Sequence, residues 1–335
     1  MVSKTMYTGF LLLIGYTFAL SGTVSVGYAA EQKTRDFSVY EAIRPTKETP
    51  NPHSPFWITT QQLGFVAGQE LKGTTRGAVF VVDLQTKNVR TILMQYVFYP
   101  TFLQKLNLLS FVAVGKHDGL TLFTKSIKQN HLREYEFGAF SPSWSPDNKK
   151  VVFADLSYDS DLYVADVDTG KVEPLDDLGR GEETEGTEGP DWSPNGREIV
   201  YVGWDKSSRI PDSGYVPKIS RLYKFYLRLR KYQRLTGGSF QDRWPAYSPS
   251  GKEIAFVSNR SQNPELWLMN SDGKGIRRLT DMGKRGYQVG GEKPAWSPDQ
   301  RKIAFSVIPT TKPPRRGGFP FENSTIWILE VGKVR

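Results

Sequence analysis

The stretch Pro142-Ser143-Trp144-Ser145-Pro146-Asp147 decides the fold of this chain, because it recurs at regular intervals. It returns as Pro190-Asp191-Trp192-Ser193-Pro194-Asn195, as Pro294-Ala295-Trp296-Ser297-Pro298-Asp299 and, with Tyr in place of Trp, as Pro245-Ala246-Tyr247-Ser248-Pro249. The aromatic positions 144, 192, 247 and 296 are 48, 55 and 49 residues apart. Spacing of this size indicates repeated supersecondary units that are each too small to bury a core of their own.

The clearest unit contains four short strand patterns. Pro245-Ala246-Tyr247 and Ile254-Ala255-Phe256-Val257 flank a turn that contains Pro and Gly. Leu266-Trp267-Leu268-Met269 and then Ile276 to Thr280 follow, with a second turn between them. Four antiparallel strands in about fifty residues predict the blade of a β-propeller, as in WD40-like repeats.

A proline opens each unit, and its six copies at positions 55, 100, 142, 190, 245 and 294 predict six blades. The last blade lacks an outer strand, because only residues 330–335 follow Ile326-Trp327-Ile328-Leu329. A closed ring leaves no exposed strand edge, and the alternation from Phe37 to Ile43 fits the missing strand. We therefore predict an all-β, six-bladed propeller of four-stranded antiparallel blades, closed by an N-terminal strand. A loose, proline-rich arm over residues 31–54 is the alternative.

The first thirty residues have the layout of a secretory signal peptide. Lys4 precedes an apolar run from Phe10 to Leu20, and small residues lead to a cleavage site after Ala29 or Ala30. An uncleaved anchor is the alternative, since the segment is long enough to span a bilayer. The predicted organisation is a signal peptide at 1–30, an arm at 31–54 that supplies the closing strand, and the propeller at 55–335. Its predicted location is periplasmic or secreted.

The composition excludes several kinds of site and limits the kinds of partner. The 335 residues contain no cysteine, which excludes disulfides, thiolate metal sites and a cysteine nucleophile. Removal of the signal peptide changes the formal net charge from +9 to about +8, which favours an anionic partner or surface. The basic residues form no long run, so we expect no nucleic-acid partner. We expect a monomer whose contact with the membrane is peripheral or made through an uncleaved signal.

The segment from Phe256 to Gly273 resembles, nearly residue for residue, the blade of the TolB-type propeller family, and the proline phrase is equally typical of it. Gln262 occupies a position where that family usually has Gly. The resemblance implies an exported cell-envelope protein that binds the peptidoglycan-associated lipoprotein and works with the Tol proteins. The family's full-length members carry an α/β domain before the propeller, whereas only about 25 residues separate the signal from the first blade here. Contacts made through that domain are therefore not implied.

Loop lengths distinguish the two faces of the predicted ring. The turn face carries the short first-to-second and third-to-fourth strand turns, where the Ser-Pro-Asp sequence is a turn and not a nucleophile. The connection face carries the second-to-third loops and the connections between blades, and it holds the long insertions at 176–189, 203–221, 280–293 and 307–325. Loops presented by a rigid scaffold commonly carry function, so we expect the connection face and its channel mouth to bind the ligand.

The candidate binding residues of this face are charged or aromatic, the types that dominate hot spots. They are His117, Trp204, Tyr215, Arg243, Lys284, Arg285, Tyr287, Arg315, Arg316 and Phe319. A separate acidic loop consists of Asp176, Asp177, Glu182, Glu183, Glu185 and Glu188. We predict no cofactor and no metal, with calcium at the acidic loop as the alternative, because calcium prefers carboxylate oxygens. The repeated Trp residues are expected to be core between blades.

Of two functions from different classes, we predict the first and keep the second as the alternative. The first is a non-enzymatic module that binds a protein, a lipoprotein or a polymer such as peptidoglycan or polysaccharide. The second is a carbohydrate-active hydrolase or lyase, because propellers also occur in lyases, sialidases and prolyl peptidases. No Gly-x-Ser-x-Gly motif is present, and the histidines His53, His117 and His131 lie in different blade regions. Asp155 and Asp159 remain a possible acid and base. We predict no catalytic residue.

Overall fold

The strands form six antiparallel sheets whose first strands contact one another in a closed ring. The structure is a computed structural model that describes residues 32–34, 37–44, 46, 49–71, 74–116, 119–129, 131–155, 162–175, 184–205, 219–311 and 321–331. Within those residues the one helical element is a 3-10 turn at Gly283–Arg285, and no helix there could span a membrane. The predicted six-bladed, all-β propeller is confirmed.

Two strands precede the first blade, and each of the first five blades is a four-stranded sheet in sequence order. The leading strands are β1 (Gln32–Thr34) and β2 (Phe37–Ile43). The first blade contains β3 (His53–Trp57), β4 (Gln62–Leu71), β5 (Thr74–Asp83) and β6 (Val89–Leu93). The second contains β7 (Phe98–Leu103), β8 (Leu108–Val114), β9 (Leu120–Ser126) and β10 (Leu132–Gly138). The third contains β11 (Phe140–Trp144), β12 (Lys150–Ala154), β13 (Leu162–Asp166) and β14 (Val172–Pro174).

The fourth and fifth blades follow the same plan. The fourth contains β15 (Thr184–Trp192), β16 (Glu198–Asp205), β17 (Ser220–Tyr226) and β18 (Lys231–Arg234). The fifth contains β19 (Asp242–Tyr247), β20 (Glu253–Ser261), β21 (Asn263–Asn270) and β22 (Arg277–Arg278). The first strand of each blade lines the central channel, and the fourth lies at the outer edge.

The sixth blade departs from the predicted four strands. Its inner strand is split into β23 (Tyr287–Val289) and β24 (Ala295–Trp296), which both pair with β25 (Lys302–Pro309). Next comes β26 (Thr325–Val331), which pairs antiparallel with β2. The predicted closure by an N-terminal strand is therefore confirmed, and β1 adds a further strand outside β2.

The Ser of the repeated phrase fastens the turn between the first two strands. The Ser145 hydroxyl donates to Asp147 over 2.6 Å and accepts the Lys150 backbone N–H over 2.9 Å. The same pair of contacts is made by Ser297 with Asp299 and Lys302. These side-chain bonds replace backbone bonds that a tight turn leaves unmade, as the sequence predicts for a turn.

The core lies between blades rather than within them. Six clusters of buried apolar side chains each draw on two neighbouring blades. The repeated Trp residues pack in these clusters, as predicted, and three of them also bond to the preceding blade. The indole N–H of Trp57 donates to the Ala295 carbonyl oxygen, that of Trp144 to the Ser110 hydroxyl, and that of Trp296 to the Ala246 carbonyl oxygen.

Candidate binding site at the channel mouth

The repeated proline marks a bulge in the inner strands. In five blades the pairing register shifts across this proline, and the residue before it has a positive φ. These residues are Ser54, Tyr99, Ser141, Gly189 and Trp244, with φ between 49° and 57°. A bulge redirects side chains and increases local twist. The inner strands begin on the connection face, so the bulges shape the channel mouth, which is the end of the channel on that face.

Arg243, in β19, is held at the channel mouth by Glu188 of the neighbouring β15. Its Nε and Nη2 donate to one carboxylate oxygen of Glu188, over 3.1 and 2.8 Å. The guanidinium carbon also lies 4.8 Å from the centre of the Trp204 ring and 5.0 Å from that of Trp244. The arginine remains accessible, with 29% of its side chain exposed. A planar cation fixed by a carboxylate and two indoles is preorganised for recognition.

Tyr99 reaches across the channel from the second blade. Its ring packs against the cluster shared by the fifth and sixth blades, which includes Trp244, and against Phe140 of the third blade at 5.0 Å. Burial raises the pKa of the Tyr99 hydroxyl well above its ordinary value, and the negative charges of Glu188 and Glu292 act in the same direction. The hydroxyl therefore keeps its proton at neutral pH and lies within the electrostatic influence of both carboxylates.

His53 and Glu292 join the first blade to the sixth. The buried His53 places Nδ1 3.1 Å from a Glu292 oxygen and Nε2 3.1 Å from the Tyr96 hydroxyl. Glu292 also accepts hydrogen bonds from the Ser54 backbone N–H, the Ser54 hydroxyl and the Ser306 hydroxyl. Burial acts to raise the pKa of Glu292, but His53 and the bonds from Ser54 outweigh it, so the pKa lies below its ordinary value.

Asp191 connects four blades near the channel. It accepts hydrogen bonds from the Ser143 hydroxyl of the third blade, the Tyr247 backbone N–H of the fifth and the Lys293 ammonium of the sixth, over 3.2, 2.7 and 3.0 Å. Lys293 also donates to the Pro190 carbonyl oxygen over 2.7 Å. Both Asp191 oxygens are used, so this network holds inner strands together.

These contacts favour recognition over acid–base chemistry. Glu292 and Asp191 have both oxygens engaged, and the lowered pKa of Glu292 leaves no proton to donate at neutral pH. Within the part of the chain that the structure describes, no group of three His, Cys, Asp or Glu side chains is arranged to hold a metal ion. The accessible chemistry is that of donors, chiefly the Arg243 guanidinium.

The structure brings together three of the sequence-predicted residues, Trp204, Arg243 and Glu188, but it corrects where two of them lie. Trp204 is a buried residue of β16, not an aromatic presented by a loop, because that strand continues to Asp205 and pairs with β15. Glu188 is likewise a channel-side residue of β15, not part of an acidic loop, because the strand already begins at Thr184. Glu185 also lies in that strand.

The remaining described candidates lie at or next to the 3-10 turn. Lys284 is exposed and pairs with Asp281 over 2.6 Å. The Arg285 guanidinium lies 5.4 Å from the centre of the Trp327 ring, and the Tyr287 ring lies 6.1 Å from it. Tyr287 is part of β23, which shortens the predicted insertion at 280–293.

Other predicted residues lie outside the described part of the chain, and their roles stay predictions. They are His117, Tyr215, Arg315, Arg316, Phe319, Asp176, Asp177, Glu182 and Glu183, as well as Asp159 of the acid–base alternative. The calcium alternative depends on the acidic residues in this set.

Sequence reasoning missed Tyr99, Glu292, Asp191 and the role of His53. A signal for His53 and Glu292 exists in the repeated phrase itself. The residue two positions before the proline is His53, Phe98, Phe140, Glu188, Arg243 and Glu292 in the six blades. Four of the six are polar, although they lie in the inner strands of the blades. Comparison of the copies at this position would have indicated the channel mouth.

Sequence comparisons give partial matches. No protein-family model matches the chain. It is 30% identical over 171 residues to an uncharacterized protein of Agrobacterium fabrum, which covers 48% of this chain and 52% of that protein. It is 33% identical over 91 residues to the Tol-Pal system protein TolB of Anaeromyxobacter dehalogenans, which covers 27% of this chain and 18% of that one. The chain thus matches about half of the first relative and less than a fifth of the second.

Solved structures share the fold over more of the chain. A putative TolB from Agrobacterium tumefaciens has a TM-score of 0.58 and 16% identity, covering 83% of this chain and 89% of that one. TolB from Acinetobacter baumannii has a TM-score of 0.55 and 17% identity, covering 77% and 61%. An oligogalacturonate lyase in complex with manganese has a TM-score of 0.55 and 12% identity, covering 92% and 97%. The chain therefore shares the β-propeller fold of these structures, and part of its sequence is similar to TolB.

Proposed function

We propose that this protein is an exported, non-enzymatic propeller that binds a cell-envelope protein or polymer through its connection face. The observation that carries the proposal is the Arg243 group, an accessible guanidinium held between two indoles and a carboxylate at the channel mouth. Arginine flanked by aromatic residues is the usual composition of an interface hot spot.

The similarity to TolB supports an envelope partner. The matched relatives include a protein named for the Tol-Pal system, and the shared fold covers most of this chain. The candidate partners are therefore the peptidoglycan-associated lipoprotein and peptidoglycan itself. A periplasmic or secreted location, with the signal peptide removed, is part of the same proposal.

The alternative, a carbohydrate-active hydrolase or lyase, has the His53–Glu292 pair as its best structural candidate. Its weakness is that both oxygens of Glu292 are engaged and that its pKa is lowered. Incubation with pectate fragments tests it, since release of unsaturated or shorter oligosaccharides by the purified chain would favour the alternative over binding.

The binding proposal is tested with two purified ligands. The chain starting at residue 31 is titrated with the soluble domain of the peptidoglycan-associated lipoprotein and, separately, sedimented with peptidoglycan sacculi. We expect binding to at least one ligand and a loss of about tenfold or more in affinity, roughly 1.4 kcal/mol, for Arg243→Glu.

The matched control is Lys149→Glu, which makes the same charge change at an exposed position on the turn face. It should leave the affinity unchanged. Absence of binding to both ligands would reject the proposal, and equal losses for the two variants would show that the contact depends on net charge and not on the connection face.

A further inference from the structure

Arg243 has hydrogen-bond donors at the channel mouth that no described residue uses. An arginine guanidinium has five N–H donors. In Arg243, two of the five donate to Glu188. The Nη1 group of Arg243 has no hydrogen-bond acceptor among the described residues. By contrast, Glu292 and Asp191 already accept bonds at both oxygens. A group that binds the free edge of Arg243 must therefore be an acceptor.

The open edge of Arg243 is fixed in space. Glu188 holds the Nε side of the guanidinium plane, while the rings of Trp204 and Trp244 lie 4.8 and 5.0 Å from its centre. The edge that remains is the planar fork that carboxylates match with two parallel hydrogen bonds. Because the side chain is already ordered, a ligand loses less free energy in ordering it.

Tyr99 supplies a second donor near the same place. Its ring crosses the channel and packs against the cluster that contains Trp244, the residue next to Arg243. Its hydroxyl makes no hydrogen bond within the described residues. Tyr99 also adopts a left-handed φ of 49°, a strained conformation for a non-glycine residue that is often kept at functional sites.

We infer that the channel mouth binds a carboxylate group carried by a peptide segment of the partner. The free edge of the Arg243 guanidinium donates two parallel hydrogen bonds to this group, and the Tyr99 hydroxyl is a second donor. The inference rests on the proposed function, whose ligand it describes at the level of one chemical group. Glu188 acts as a positioning residue that orients the guanidinium. A carboxylate at a chain end or on an acidic side chain fits the site, whereas an amide offers only one oxygen and no charge.

The test uses two N-acetylated hexapeptides of alternating Gly and Ser, one with a free C-terminal carboxylate and one with a C-terminal amide. Binding to the mature chain is followed through the tryptophan indole N–H resonances, at peptide concentrations up to about 10 mM, because single-group contacts are expected near millimolar Kd. We expect the free acid to bind at least about tenfold more tightly than the amide, the size of one charge-assisted contact.

Three variants assign the effect to residues. Arg243→Lys keeps the charge but loses the fork, so it should weaken acid binding about tenfold and leave amide binding unchanged. Tyr99→Phe should weaken acid binding several-fold, as expected for one lost hydrogen bond. The control is Arg277→Lys, because Arg277 is an arginine paired with Glu253 over 3.2 Å at the outer edge of the fifth blade, and it should change nothing.

Several results would overturn the inference. They are equal binding of acid and amide, no binding of the acid peptide, or full acid affinity in Arg243→Lys. Displacement of the acid peptide by digalacturonate at a lower concentration than by the peptide itself would assign the site to a uronate sugar instead. If the lipoprotein or sacculi bind Arg243→Lys as well as the parent chain, this inference fails while the proposed function stands. If the parent chain binds neither, the proposed function fails whatever the peptides do.

Discussion

The indole N–H of Trp57 lies 3.0 Å from the carbonyl oxygen of Ala295, so the first blade is hydrogen-bonded to the inner strand of the sixth. The closing strand β2 completes the sixth sheet at its outer edge. The ring is thus closed at two places in the sixth blade, at its inner strand and at its outer strands. The first blade makes the inner contact and the N-terminal segment makes the outer one.

Trp57→Phe should destabilise the protein more than the equivalent change at Trp192. Both substitutions remove a similar apolar volume, but only Trp57 donates a hydrogen bond, whereas the buried Trp192 indole N–H has no partner. We expect a difference of about 1 kcal/mol in the free energy of unfolding, measured with urea. Equal losses would mean that the bond to Ala295 contributes nothing net.

Deletion of residues 31–44 should lower the melting temperature by about 10 °C or more. The deletion removes β2 and exposes the edge of β26, whose Ile326 and Ile328 are buried in the cluster shared with the first blade. Deletion of residues 31–35, which removes only β1, is the control and should cost about 2 °C or less. Similar melting temperatures for both deletions would contradict closure by β2. The readout is thermal unfolding followed by circular dichroism.

Glu292→Gln should reduce the loss of stability in acid. The pKa of Glu292 is lower in the folded protein than its ordinary value of 4.5, so the carboxylate stabilises the fold above that pH. That contribution disappears as the pH falls below about 4.5 and through the lower folded value. The variant lacks this term, so it should be less stable at neutral pH by about 2 kcal/mol and lose less on acidification.

The measurement is urea unfolding at several pH values between about 3 and 7. Glu330→Gln, at an exposed position, is the control and should follow the parent curve. A parallel pH dependence in Glu292→Gln and the parent chain would show that another group dominates acid unfolding.

Gln262→Gly should stabilise the protein modestly. Gln262 forms the tight connection between β20 and β21 with a φ of 78°, in the left-handed region where glycine is favoured. Relief of a cost of about 1 kcal/mol is partly offset by the greater freedom of glycine in the unfolded chain, so we expect a gain of about 0.5 kcal/mol. Ser261→Gly, one residue earlier in the strand, should instead be destabilising. A loss in Gln262→Gly would indicate a side-chain contact at this turn.

The architecture could be predicted because it depends on local patterns that repeat. The proline phrase, the alternation of residues in each strand and the missing outer strand all follow from short segments of sequence. Gln262 could also be identified as unusual, because the family that the sequence resembles usually has Gly at this position. The split inner strand of the sixth blade could not be predicted, because Glu292 and Lys293 interrupt it and contact partners in other blades.

The site was only partly predictable because it depends on contacts between distant segments. Arg243 and Glu188 were both named from sequence, yet they were assigned to separate features because they are 55 positions apart in the chain. Trp204 was expected in a loop because its strand ends in a long insertion. Tyr99 belongs to the second blade, whose sequence matches the repeat only weakly. No residue near it in the sequence indicates that its ring crosses the channel.

The sharing of each hydrophobic cluster between two blades has a consequence for the evolution of this architecture. Removal or duplication of one blade would cut two cores at once and leave new faces that were never matched to each other. Blade number therefore depends on contacts around the whole ring. Change is absorbed instead at single inner-strand positions and in the connections, so new specificities can arise without a new fold.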